Sequence, residues 1–131
     1  MNDLLSRASV MNSRARQVLA DTGLFELWRA AGASIHLVGS VRTGLLINRR
    51  DIDCHVYTDP FRLADSFAVM ARFAEQPRVK AISFISSVEA EDRCVEWHAT
   101  YVDRDDEPWQ IDIIHLLPDS PFVGYFEEVA A

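Results

Sequence analysis

The sequence predicts an α+β layered domain, with helices packed on a mixed sheet of about five strands. Three observations lead there. Apolar spacing switches between helical and strand periods in the order helix, two strands, helix, three strands. Hydrophobic residues make up 49% and charged residues 25%, a balance that closes a globular core. No repeat, low-complexity tract or Gly/Ser-rich linker divides the 131 residues, so a single domain is expected.

The first helix is read from about Ser6 to Ala31. Val10, Arg14, Val18, Leu19, Phe25 and Trp28 fall partly on helical spacing, and Gly32 is a natural stop. The pattern breaks near Asp21–Gly23, where two helices are expected to meet. Ile35–Val38 is a short apolar strand ending at Gly39-Ser40, followed by a short helix or turn over about Val41–Leu46. Asp51–Tyr57 (DIDCHVY) reads as the second strand. Asp59-Pro60 has the form of a helix entry with proline at the first helical position. That helix is expected over Phe61–Glu75, burying Leu63, Phe67, Met70 and Phe73. Three extended stretches follow, at about Val79–Ser86, Cys94–Val102 and Trp109–Leu117. The polar loop Asp103–Pro108 suits an antiparallel connection between the last two. In the tail, Phe122, Tyr125, Phe126 and Val129 have helical spacing. Either that helix docks on the domain or the sequence is the N-terminal portion of a longer product.

Composition narrows the function classes. No apolar run approaches the roughly 18–20 residues that span a bilayer, and the N-terminus lacks the apolar core of a secretory signal. A cytoplasmic location with no membrane partner is the expectation. Cys54 and Cys94 have no CxxC or His/Cys cluster around them, so they read as buried thiols rather than zinc ligands or a disulfide. Net charge is −7, with 13 basic residues against 20 acidic ones. Sequence-blind binding of a long nucleic acid relies on clustered Lys and Arg, so such a partner is not expected. An anion bridged by metal remains compatible with the charge.

The chemistry concentrates between Ile35 and Tyr57, IHLVGSVRTGLLINRRDIDCHVY. Strand residues alternate faces, so Asp51 and Asp53 point the same way, about 6.5–7 Å apart along the backbone. Asp is a poor strand former, and two on one face repel unless solvated or bridged by a cation. Carboxylate oxygens are what magnesium prefers, beside water and substrate phosphates. The pair therefore reads as a metal site; the alternative is a solvated turn opening a strand. Gly39-Ser40 complements it. A glycine at a strand-to-helix turn lets backbone N–H groups approach a phosphate, and the Ser40 hydroxyl adds a donor. GSVRTG is not a Walker A loop, for it lacks the Gly-Lys-Ser/Thr ending.

An apolar strand, Gly39-Ser40, Gly44, and then Asp51 and Asp53, with ten residues between Ser40 and Asp51, together resemble the nucleotidyltransferase superfamily that includes DNA polymerase beta, especially its minimal bacterial members. Arg50 sits where such members often carry Ser or Arg. The resemblance implies a nucleotidyltransferase-like fold and magnesium-dependent nucleotidyl transfer from a nucleoside triphosphate to an acceptor hydroxyl. It also implies a third carboxylate on a later strand, for which Asp112 in WQIDIIHL is the candidate. The three acids would form a two-metal site, with Asp112 also helping to activate the acceptor hydroxyl. Asp112 as a strand-edge residue facing water is the other reading.

The remaining polar residues have plainer readings. Arg42, Arg49 and Arg50 are within reach of phosphates in this scheme, though surface solvation explains each. His36, His55, His98 and His115 lack zinc spacing and read as structural histidines. His55 shares the predicted face of Asp53. Trp97, Tyr101 and Trp109 read as core, and the acidic run Asp103–Glu107 as a solvated loop. A second domain to grip base or acceptor is not visible, and Leu45–Asn48 is more apolar than minimal members usually show. The acceptor is open: a small molecule, a protein side chain or an RNA end, the last least favoured by the acidic composition unless a partner supplies a basic surface. The alternative to an enzyme is a regulatory binding module, such as the antitoxin of a toxin–antitoxin pair, whose partner would be a small helical protein.

Overall fold

The computed structural model describes residues 2–38, 50–121 and 123, with side chains from residue 9 onward. The expected turn over Val41–Leu46 and the tail helix lie outside the described residues. Helix α1 runs over Asn2–Thr22 and α2 over Leu24–Ala30, broken where the sequence predicts. Gly23 holds φ 62°, a left-handed conformation that glycine adopts without a Cβ clash. Thr22 stabilises the break, its hydroxyl donating to the Leu19 carbonyl (2.9 Å) and accepting from the Leu24 N–H (3.2 Å). Gly32 ends α2 at φ 86°, with N–H bonds from Gly32 to Arg29 (3.0 Å) and from Ala33 to Trp28 (3.1 Å). That is the Schellman pattern of helix termination.

Strands β1 (Ser34–Val38), β2 (Asp51–Tyr57), β3 (Val79–Ser87), β4 (Cys94–Val102) and β5 (Pro108–Leu116) form one mixed sheet in the order β1-β2-β5-β4-β3. Only β2 and β5 run parallel, and they sit side by side at the centre. Helix α3 (Leu63–Ala74) supplies part of the link from β2 to the later strands. The inward face of the sheet carries Ile52, Cys54 and Val56 of β2, Val95, Trp97 and Ala99 of β4, and Ile111 and Ile113 of β5. They form one core with Leu24, Trp28, Val69, Met70 and Phe73 of the helices. Burying each large side chain contributes roughly 1.5–3 kcal/mol.

Three expectations need correction. Helix α3 begins at Leu63 rather than at Pro60 or Phe61, because Arg62 is still extended at φ −130° and ψ 119°. The buried face of α3 is Ser66, Val69, Met70 and Phe73, at the i, i+3, i+4, i+7 spacing of a single stripe. Leu63 and Phe67 lie beside that stripe and are 42% and 43% exposed. Phe67 still caps the core edge, its ring centroid 4.7 Å from those of both Phe84 and Trp97. Val10 is exposed as well, whereas Val18, Leu19 and Trp28 are buried as their spacing suggests.

The third correction concerns the acidic loop. Arg104, Asp105 and Asp106 are exposed, but Asp103 is buried. Its Oδ1 accepts the N–H groups of Asp105 (2.8 Å) and Glu107 (2.9 Å), and its Oδ2 accepts the Trp109 indole N–H (2.8 Å). A carboxylate that closes its own turn in this way is an anchor of the β4–β5 hairpin.

Candidate active site

Parallel registration sets the centre of the site. β2 and β5 pair with Asp51 opposite Gln110 and Asp53 opposite Asp112. Partners in adjacent strands project to the same side, and neighbouring strands lie about 4.8 Å apart. Asp51, Asp53 and Asp112 thus share the face that turns away from α2 and α3. Their strand neighbours Ile52, Cys54, Ile111 and Ile113 are fully buried on the other side. The alternation that marks Asp51 and Asp53 as cofacial therefore extends, across the ladder, to Asp112.

A further polar row continues the same face onto β4, where Thr100, His98 and Glu96 pair with Gln110, Asp112 and Ile114. His98 Nδ1 lies 2.7 Å from Asp112 Oδ1, and Gln110 Nε2 donates to the same oxygen at 2.9 Å. His98 Nε2 faces Glu96 Oε1 at 3.3 Å. Burial opposes charging the His98 ring, but the hydrogen bonds and charges of Asp112 and then Glu96 outweigh it and raise its pKa. Sequence reasoning treats His98 as structural and misses this contact. The signal was present in the hairpin: counting back from the Asp103–Glu107 turn sets His98 opposite Asp112.

Other predicted residues are placed differently. Arg50 precedes β2, and its guanidinium pairs with Glu107 at 3.0 Å, while its carbonyl accepts the Gln110 N–H at 2.8 Å. Gly39, Ser40, Arg42 and Gly44 lie outside the described residues, as does Arg49. Cys54 and Cys94 are buried free thiols, as expected. Burial first, and then the Asp53 and Asp112 carboxylates, push the Cys54 thiol far up its scale. Cys94 is pushed up to about 11 by burial and by Glu96 and Asp92. Both shifts oppose formation of the thiolate, the form in which a cysteine reacts.

His115 is three residues past Asp112 on the opposite, buried face. Its ring nitrogens contact Ser66 Oγ (3.0 Å) and Thr58 Oγ1 (2.7 Å), and Ser66 also accepts the Trp97 indole N–H (2.9 Å). That network ties α3 to the sheet behind the acids. Among the described residues, no group of three or more His, Cys, Asp or Glu side chains stands arranged to hold a metal ion. No described helix is long and apolar enough to cross a membrane.

The description "Nucleotidyltransferase domain" matches residues 22–120, most of the chain. The chain belongs to the nucleotidyltransferase family. Solved structures agree with this nucleotidyltransferase fold. Cid1 in complex with the UTP analogue UMPNPP superposes with a TM-score of 0.59 at 13% identity, covering 91% of this chain and 34% of that one. The Cid1 poly(U) polymerase with magnesium and 3′-dATP gives 0.56 at 22% identity, covering 79% and 30%. The non-canonical poly(A) polymerase complex GLD-2–GLD-3 gives 0.52 at 12% identity, covering 88% and 40%. This nucleotidyltransferase chain thus spans well under half the length of these structures. No curated protein matches it in sequence. The resemblance read from Gly39-Ser40 and Asp51-x-Asp53 is borne out at the level of family and fold.

Proposed function

We propose that the chain is a magnesium-dependent nucleotidyltransferase, moving a nucleotidyl group from a nucleoside triphosphate to an acceptor hydroxyl. The observation that carries this reading is the β2–β5 register, which sets Asp53 opposite Asp112 and Asp51 on the same face. The donor type suits a hard cation, since all three candidate ligands are carboxylates on half-buried strand positions of one face, although the three are not already gathered around a common point. Asp51, Asp53 and Asp112 would hold the magnesium, which supplies charge stabilisation to the triphosphate oxygens.

The chain's own residues have separate tasks in this scheme. Asp112 accepts the proton of the acceptor hydroxyl as its oxygen bonds to the α-phosphorus. The bond from the α-phosphorus to the bridging β-oxygen breaks, and pyrophosphate leaves. Gly39, Ser40, Arg42 and Gly44 bind the triphosphate, a role that rests on the sequence motif. Arg50 joins them only by exchanging Glu107 for a phosphate.

The similar structures are described as poly(A) and poly(U) polymerases, which favours an RNA end among the acceptors. A net charge of −7 weighs against this chain alone gripping a long RNA. A short RNA end, a small molecule or a protein hydroxyl fits the charge better.

The test is pyrophosphate release from each nucleoside triphosphate with magnesium, over a panel of short RNAs, small polyols and proteins. Turnover by wild type that disappears in the Asp51→Asn/Asp53→Asn double variant is the expected result. Turnover that persists in that variant would place the chemistry elsewhere.

A further inference from the structure

We infer that His98 is the positioning residue of the third carboxylate, holding Asp112 in the orientation that ligates a divalent cation. The inference rests on the reading of Asp51, Asp53 and Asp112 as the metal-binding acids. It adds to that reading a residue on a different strand.

The geometry is specific. A strand side chain in the middle of a sheet has its Cα fixed by the ladder, but an aspartate keeps rotation about its terminal torsion, which is broad. Asp112 loses that freedom on one side. Its Oδ1 accepts from His98 Nδ1 at 2.7 Å and from Gln110 Nε2 at 2.9 Å, two donors on two positions that flank it. Both contacts fall on the same oxygen, Oδ1, and Asp53 is the register partner of Asp112 on β2. The imidazole is itself oriented, because its far nitrogen meets Glu96 Oε1 at 3.3 Å. Glu96, His98 and Asp112 therefore form a row across β4 and β5 that ends at the acidic face, and the β4–β5 register holds it in place. Outer hydrogen-bond partners of this kind fix ligand orientation, and their loss typically weakens metal affinity by about 10–100-fold.

Three variants separate positioning from simple packing. His98→Phe keeps a ring on the sheet face and removes both nitrogens; His98→Asn keeps a donor close to Nδ1; His98→Ala is a smaller change should the phenylalanine disturb the fold. Folding is checked by circular dichroism and the melting temperature. The readout is the affinity for Mn2+ at one fixed pH, measured by electron paramagnetic resonance as free ion is depleted. We expect His98→Phe and His98→Ala to bind Mn2+ about 10–100-fold more weakly than wild type, and His98→Asn to stay close to it. Wild-type affinity in folded His98→Phe or His98→Ala overturns the positioning role and leaves the metal-site reading standing. Equal weakening in all three folded variants overturns it too, since the donor would then be irrelevant. No Mn2+ binding by wild type overturns both.

Discussion

Asp53 and Asp112 are register partners across the parallel β2–β5 ladder, so two carboxylates rise side by side from the centre of the sheet. Paired like charges on adjacent strands are unfavourable unless something bridges them. Magnesium with a nucleoside triphosphate should therefore stabilise the wild type, by roughly 2.7 kcal/mol at 100 times the dissociation constant. For a domain of this size that corresponds to a melting-point rise of roughly 10 °C. Asp53→Asn and Asp112→Asn should each melt cooperatively without ligand and lose that rise. A ligand shift that survives in both would remove the acids from the site.

Asp103 should matter more for stability than its place in an acidic loop suggests. Alanine there leaves the Trp109 indole and two backbone N–H groups without their acceptor. We expect Asp103→Ala to cost about 2–4 kcal/mol in urea unfolding, and Asp103→Asn about half as much, because one acceptor oxygen remains. Asp105→Ala, on an exposed side chain, should change stability by no more than about 0.5 kcal/mol. Equal effects of Asp103→Ala and Asp105→Ala would contradict the anchoring role.

Acid should weaken the fold through His115. Burial lowers its pKa to about 4, against an opposing pull from Asp65, from an ordinary value of 6.5. Between those values the unfolded chain binds a proton that the folded chain does not. Stability therefore falls as the pH drops through that window, by about 3 kcal/mol from this group. Asp103 adds to the loss at lower pH. Burial alone would raise its pKa, but the Trp109 and backbone hydrogen bonds hold it below its ordinary 3.8. His98 carries the opposite sign: its stabilisation is complete below 6.5 and fades as the pH rises through its raised pKa. Urea midpoints measured across this range should fall for the wild type towards acid, and fall less steeply for His115→Asn. A wild-type profile that is flat down to pH 4 would rule the mechanism out.

The two phenylalanines of α3 offer a direct check on which helix face is buried. Phe73 is 0% exposed and Phe67 43%. Phe73→Ala should cost about 3–5 kcal/mol, the range for a large core truncation. Phe67→Ala should cost about 1–2 kcal/mol, the scale of its two aromatic contacts. The reverse ranking would put the helix in a different rotation.

Much of this architecture was legible in the sequence because its causes are local. The Asp51–Tyr57 and Cys94–Val102 strands have the bounds their alternation predicts, and the break at Gly23 and the stop at Gly32 stand where a left-handed residue is needed. The same period of two made Asp51 and Asp53 cofacial before any fold was known. Alternation in a strand and positive φ at a glycine are properties of a few adjacent residues, and neighbours suffice to specify them.

Other features required the tertiary structure. Nothing local says that β5, the last strand, inserts beside β2; that placement sets Asp112 against Asp53 rather than elsewhere along the sheet. The rotation of α3 is not set locally, because Leu63 and Phe67 are as apolar as the residues that pack, and only the sheet beneath decides which stripe it covers. Asp103 reads as a solvated acid until Trp109 folds back over it. Each of these depends on a partner distant in sequence or across a turn. The sequence by itself determined the elements and two of the three acids on one face. Strand order and burial, which the whole chain settles together, decided what stands beside them.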